Sequence, residues 1–129
     1  MPPTPEQEQL IREQKLAILA TLRKDGTPQL TPINYAYHAG SVLISTTRDR
    51  AKYWNLRRDS RVSLCVMHPS GRPYLTVFGR GRIEEDDIVD GTAEIFRRIS
   101  ERPLPEDFAQ RLREQKRVLI IVTPERIIP

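Results

Sequence analysis

Cysteine is almost missing from this sequence. Cys65 is the single thiol among 129 residues. One cysteine excludes an intrachain disulfide, which fits a reducing cytosol. Its place in the middle of an alternating apolar run reads as a small buried hydrophobe rather than a nucleophile. Histidine is nearly as scarce. His38 and His68 both fall in stretches that read as turns, and no HExxH pattern or Cys/His cluster accompanies them. A zinc centre is therefore not expected. Nucleophile elbows, phosphate-binding P-loops and dinucleotide-binding glycine patterns are lacking as well. Without an evident acid, base or nucleophile set, an enzyme built on this chain needs a cofactor that carries the chemistry itself. Long apolar runs are absent too. The longest purely aliphatic run is Val118–Val122, far too short to span a bilayer. Met1–Pro5 shows no cationic segment followed by an apolar one, so no signal peptide is expected there, and the location expected is cytoplasmic. Aromatic residues make up only 6%. They form no stacking stripe on adjacent strands, which argues against a nucleic-acid-binding barrel.

What the chain does have is arginine. Lys15, Lys24, Lys52 and Lys116 are the only lysines among 21 cationic residues, leaving 17 arginines. The formal net charge is +4. An anionic partner fits that balance, and the guanidinium fork suits phosphate and carboxylate. The length fits one domain, 1–129, able to bury a core without staples.

The stretch Ser41–Arg58 organises the rest. Val42-Leu43-Ile44 is an apolar strand that ends in three hydroxyls, Ser45, Thr46 and Thr47. Arg48, Arg50 and Lys52 follow, and then a helical pattern from about Arg50 to Arg58. A strand that leads through hydroxyls and cations into a helix offers what a phosphate needs. Hydroxyls and backbone N–H groups donate to its oxygens, and the helix N-terminus and the side chains supply positive charge. The run also fits an ordinary solvated helix start, and it is the preceding hydroxyls that favour the anion site. Periodicity turns Ala51, Trp54 and Leu56 inward and Arg50, Lys52, Arg57 and Arg58 outward.

Before this stretch, Thr4 caps a short helix with Pro5 at its first position and Gln7 closing a capping box. Lys15–Arg23 reads as a strand. Lys24-Asp25-Gly26-Thr27 reads as a hairpin turn with positive φ at Asp-Gly. The return strand is Pro28–Tyr37, which must bulge or lie at an edge near Pro32. The unpaired backbone of Thr31, Ile33 and Asn34 then faces either a planar heterocycle or plain solvent. After it come strands at Arg61–Met67 and Tyr74–Ile83. A helix follows whose start is marked by Glu84–Asp87, with Ile88, Ala93, Ile95, Phe96 and Ile99 on its apolar face. Pro105–Gln115 is a second short helix. The last strand is Val118–Val122, stopped by Pro124. The order is helix, three strands, helix, two strands, two helices, strand. This reads as a mostly antiparallel α+β fold, a small barrel with helices packed at the ends.

Five short runs carry a resemblance. They are Asp25–Pro28, Thr31-Pro32-Ile33, Leu43–Thr46, Asp49-Arg50-Ala51-Lys52 and Asn55-Leu56-Arg57-Arg58-Asp59 with Arg61-Val62. Together they resemble the split β-barrel proteins of the pyridoxamine-phosphate-oxidase-like type, in particular the small deazaflavin (coenzyme F420)-dependent oxidoreductases. The likeness runs from about Leu16 to Arg126. It implies a homodimer with two cofactor sites at the subunit interface, each holding F420 or, alternatively, FMN. Arg50 and Lys52 would hold the cofactor phosphate. Ser45, Thr46 and Thr47 would meet phosphate and ribityl, and Thr31, Pro32, Ile33 and Asn34 would line the ring. Arg72 and the strand Tyr74–Gly79 of the other subunit, with Tyr74, Val77 and Gly79, would close the pocket. The implied activity is hydride transfer to a small unsaturated organic substrate, with FMN chemistry or a non-catalytic flavin or haem carrier as alternatives. Substrate-binding residues of true pyridoxamine phosphate oxidases are not found. Relatives also run on past the position of Pro124–Arg126, often with an aromatic near the cofactor, whereas this sequence ends at Pro129.

Overall fold

The computed structural model describes residues 2–129. The element order is α1 (Pro5–Glu13), β1 (Leu16–Leu22), β2 (Pro28–Asn34), β3 (Ala36–His38), β4 (Ser41–Thr47), α2 (Ala51–Arg58), β5 (Arg61–Met67), β6 (Tyr74–Glu84), α3 (Val89–Ile99), α4 (Phe108–Glu114) and β7 (Arg117–Ile128). The seven strands form one antiparallel sheet in the order β2-β1-β5-β6-β7-β4-β3. It curls into a split half-barrel, α+β with helices packed around it. Its curvature brings the edge strand β2 back toward β4, so the seam of the barrel lies between those two strands.

Alternation decides which face is inside. Ala17 and Leu19 on β1, Val62, Leu64 and Val66 on β5, and Leu75 and Val77 on β6 all point into the barrel, closed by Leu10 and Ile11 from α1. β4 is buried on both faces at Val42, Leu43 and Ile44. One face meets the barrel interior; on the other, Leu43 and Leu119 pack against Ala93 and Ile95 of α3 and Phe108 and Leu112 of α4. Covering both faces of β4 fixes the position of its C-terminal hydroxyls.

The capping box at Thr4 forms as the sequence implies, with Gln7 N–H donating to Thr4 Oγ1 at 3.2 Å and Thr4 N–H to Gln7 Oε1 at 2.9 Å. The other end of α1 is held from α3. Arg98 Nη2 donates to Arg12 O at 2.9 Å and Gln14 O at 2.6 Å.

Several expectations need correction. The strand expected over Pro28–Tyr37 breaks at Tyr35, giving four strands before α2 instead of three. Tyr35 is pulled out of line because its hydroxyl donates to Ile11 O at 2.6 Å in the core. At Pro32 the expected edge holds and the alternative bulge does not form: β2 pairs with β1 in unbroken register from Pro28 to Asn34, and Pro32 sits opposite Ile18. A missing N–H is tolerated because β2 is an edge. In the β1–β2 turn only Gly26 has positive φ, at 86°. Asp25 instead accepts from Thr27 N–H at 3.0 Å and Oγ1 at 2.6 Å.

α2 is rotated relative to the periodicity. Tyr53, Asn55 and Leu56 are buried, while Ala51 and Trp54 are exposed. Polar anchors set this rotation. Asn55 Nδ2 donates to Thr21 Oγ1 at 3.0 Å and Gln29 Oε1 at 3.1 Å, and Tyr53 Oη donates to Glu85 Oε1 at 2.7 Å. The Glu84–Asp87 run closes β6 and bends before the helix: Glu84 accepts from the N–H groups of Asp86 and Asp87, and α3 begins only at Val89. β7 does not stop at Pro124 but continues to Ile128 through a register shift opposite Phe78 and Gly79. Cys65 is half-buried on the outer face of the sheet, since Val62, Leu64 and Val66 take the inner one.

Candidate functional site

The end of β4 and the start of α2 form one wall of a groove of about 410 Å³ at the barrel seam. β4 supplies Ser45, Thr46 and Thr47, and the first turn of α2 supplies Arg50 and Lys52. The opposite wall is Thr31, Pro32, Ile33 and Asn34 of β2. Nine sequence-derived site residues thus meet in one groove. β2 has no strand partner on its outer side, so backbone groups along that edge are available to a ligand.

Residues that sequence reasoning did not reach complete it: Ile95, Phe96 and Ile99 from α3, and Arg117 from β7. Ile99, expected to pack inward, is half exposed here. Arg117 enters because β7 pairs with β4, setting Arg117 opposite Thr47. Its guanidinium is held from three directions. Nε donates to Gln115 Oε1 at 2.8 Å, Nη1 donates to Ser45 Oγ at 3.1 Å, and Cζ lies 5.4 Å from the Phe96 ring centroid.

The electrostatics of the groove are one-sided. Among the described residues, Arg50, Lys52 and Arg117 make no ion pair with a carboxylate. The neighbouring Arg48 and Arg57 do, both meeting Glu85. Burial and then the Arg50 charge push the Lys52 ammonium below its ordinary range, and the same two causes, in the same order, lower Arg117. Cations buried and crowded this way are relieved by an anion between them. Asp49, the nearest acid in sequence, is engaged by the Thr47 hydroxyl, which holds its carboxyl below the usual range. Thr46 Oγ1 is buried with no hydrogen-bond partner. A buried hydroxyl left unpaired costs about 1–3 kcal/mol, which a ligand oxygen would recover. No side chain caps α2; Tyr53 N–H donates to Arg50 O at 3.1 Å, which leaves the N–H groups of Ala51 and Lys52 to a ligand. Two unpaired alkyl-borne charges, a guanidinium over an aromatic ring, an orphan hydroxyl and an open helix start fit a phosphate ester, and the apolar Ile95, Phe96 and Ile99 fit the organic body attached to it.

Residues 3–129 match the family described as pyridoxamine 5'-phosphate oxidase. The chain belongs to this family. Among solved structures, the pyridoxamine 5'-phosphate oxidase fold seen here is similar to that of an F420 reductase. The two are 30% identical over 93% of this chain and 94% of that one, with a TM-score of 0.75. A conserved hypothetical protein from Mycobacterium tuberculosis is 23% identical over 98% of this chain and 83% of its own, with a TM-score of 0.83. A haem storage protein from Vibrio cholerae is 18% identical over 99% and 94%, with a TM-score of 0.71. These last two share the fold alone.

Four sequence-derived residues of this family member, expected from the other subunit, do not line this chain's own groove. Arg72 and Tyr74 flank Pro73 at the exposed tip of the β5–β6 hairpin, and neither lines the groove. Val77 points into the core and is 0% exposed, so its side chain is not available to a ligand. Gly79 sits at the β6–β7 irregularity, where a Cβ would lie 2.2 Å from Thr123 O. The conformation there requires glycine for close backbone approach. The Asn55–Asp59 run also has a structural duty that its sequence did not announce. Asn55 pins α2 to β1 and β2, and Asp59 holds Arg61 through three donors at 2.7–3.1 Å.

Proposed function

We propose that the protein is an oxidoreductase that moves hydride between a deazaflavin of the coenzyme F420 type and a small unsaturated organic substrate. The observation that carries this is the groove itself, where three unpaired cations, three hydroxyls and an unpartnered Thr46 Oγ1 converge beside an apolar wall. The 30% identity to an F420 reductase over nearly both chains supports the deazaflavin over FMN.

In this reading Arg50, Lys52 and Arg117 supply charge to the phosphate. Ser45 and Thr46 donate to phosphate and ribityl oxygens, with Thr47, whose hydroxyl proton goes to Asp49, beside them. The edge of Thr31–Asn34 addresses the ring, and Ile95, Phe96 and Ile99 exclude water from its flank. The bound ring supplies the hydride chemistry; the protein contributes orientation and a dry, positively charged setting.

We read the chain as one domain that works as a cytoplasmic homodimer. The outer face of the half-barrel supports the dimer. It presents Leu16, Leu30, Met67, Tyr74, Phe78 and Ile128, all more than a third exposed in a single copy. Cross-strand pairs such as Met67 with Tyr74 and Thr76 with Ile128 gather them on one surface. An apolar face of this kind marks an interaction site. A second copy there would bring Arg72 and Tyr74 of the partner within reach of the seam.

Titration of purified protein with F420 and with FMN tests the cofactor. Preferential F420 binding by colourless protein is the expected result. Yellow protein as purified, retaining FMN, would transfer the assignment to FMN, and binding of neither would overturn it.

A further inference from the structure

The fold sorts the cations at the β4–α2 hand-over into two groups. Arg50 and Lys52 line the groove and meet no carboxylate among the described residues. Arg48 and Arg57 do not line it, and both are turned onto one acid, Glu85, which follows directly on β6. A single oxygen of that carboxylate, Oε1, gathers three groups. Arg48 Nε lies 3.5 Å from it and Arg57 Nη1 3.9 Å, and the Tyr53 hydroxyl donates to it at 2.7 Å. Arg57 Nη1 also donates to Tyr53 Oη at 3.1 Å, and its Cζ lies 5.6 Å from the centre of the Tyr53 ring. Tyr53 is buried, so the assembly is anchored in the body of the protein.

We infer that Glu85 is a specificity-determining residue of the cofactor groove. By drawing off Arg48 and Arg57 it limits the positive charge at the phosphate site. The site then favours a phosphodiester, with about one negative charge, over a phosphate monoester, with about two near pH 7. The inference rests on the deazaflavin reading above and deepens it, because the F420 phosphate is a diester and the FMN phosphate a monoester.

Three features carry it. Glu85 comes from the end of β6 and not from α2, so the fold, not helix periodicity, brings it to these arginines. Asp49, the other acid of the stretch, forms no ion pair with any of them among the described residues and is engaged by Thr47. Balancing their charge therefore falls to Glu85. Arg48 lies one residue after Thr47 and two before Arg50. Two residues of chain span at most about 7 Å, inside the screening length of about 8 Å at physiological salt. A charge freed there reaches the groove. It acts on a ligand in proportion to the ligand's own charge, about twofold in affinity for a monoanion and about fivefold for a dianion.

The experiment titrates F420 and FMN, in low and in high salt, against wild type, Glu85→Gln, Arg48→Ala and the double variant. Glutamine keeps an Oε1 that accepts from Tyr53, so the fold is retained; circular dichroism verifies it. Glu85→Gln should tighten FMN about fivefold and F420 about twofold, narrowing the preference for F420. The gain should fade in high salt and disappear in the double variant, which lacks the freed guanidinium. Arg48→Ala alone should leave both affinities within about twofold, its charge being already balanced. Weaker binding of both ligands by Glu85→Gln, the mark of a merely structural residue, would overturn the inference. An equal or absent gain for the two ligands, or a marked loss in Arg48→Ala alone, would do the same. Each of these outcomes leaves the deazaflavin assignment standing. Failure of wild type to bind F420 would overturn that assignment and the role of Glu85 with it.

Discussion

Arg117 on β7 donates from Nη1 to Ser45 Oγ on β4 at 3.1 Å. The contact crosses the sheet diagonally, since Ser45 itself pairs with Leu119 and Arg117 pairs with Thr47. It places a third cation over the hydroxyl run, 69 residues of chain after Arg48.

Replacing Arg117 with Ala should therefore weaken binding of the phosphate-bearing cofactor about 10- to 100-fold, the scale of a lost charge-assisted hydrogen bond. Thermal stability should change little, because the side chain is only partly buried. Fluorescence titration reads the affinity. Arg50→Ala and Lys52→Ala should do the same, and unchanged affinity in all three variants would remove the cations from the site.

Lys52 gives that binding a pH dependence. Its value lies below the ordinary 10.5 because burial, and then Arg50, disfavour the charge. An anion binds the protonated form. Affinity should hold steady near about pH 7 and fall as pH climbs through the lowered Lys52 value, short of the ordinary range. The unliganded fold behaves in the opposite sense. A charged Lys52 costs it stability at low pH, and the cost is relieved as pH rises through the lowered value. Dissociation constants measured from about pH 7 to about pH 10 check this, and Lys52→Arg should flatten the curve.

Gly79 and Gly81 should respond unequally to alanine. A Cβ at Gly79 would meet the backbone oxygen of Thr123 at 2.2 Å, whereas one at Gly81 meets side-chain carbons of Val62 and Leu56 at 3.2–3.4 Å. Backbone cannot step aside as a leucine can. Gly79→Ala should cost more than about 3 kcal/mol and Gly81→Ala about 1 kcal/mol, read from urea unfolding.

A charge on the outer face of the sheet should separate the proposed dimer. Phe78→Arg places a guanidinium beside Ser63 on that face. Light scattering should then give half the wild-type mass, with cofactor affinity reduced in parallel. A wild-type protein already monomeric would sink the dimer.

Much of the architecture was legible because alternation and turn chemistry act locally. Val62, Leu64 and Val66 declare their inner face, and Thr4 with Gln7 declares a helix start. The hydroxyl-to-cation hand-over from Ser45 to Lys52 was equally readable, being continuous in sequence. What stayed hidden depends on distant partners. Tyr35 breaks its strand because Ile11 O waits for its hydroxyl. Trp54 turns outward because Asn55 is claimed by Thr21 and Gln29. β7 runs on past Pro124 because Gly79 opposite lets the backbones close up. Arg117 joins the groove only through the β4–β7 register, which no local pattern reveals, although a cation opening the final strand is the signal to look for.

The sheet stops one ladder short of closing, and β2 is left with a neighbour on one side only. Its outward amides near Thr31–Asn34 should trade their hydrogens with solvent quickly, while those of β5, clasped by β1 and β6, trade slowly. A ligand lodged at that unsewn margin acts as the missing stitch. Saturating it should slow exchange along β2 and raise the melting temperature with the logarithm of ligand concentration, so that the fold's own incompleteness becomes a gauge of occupancy.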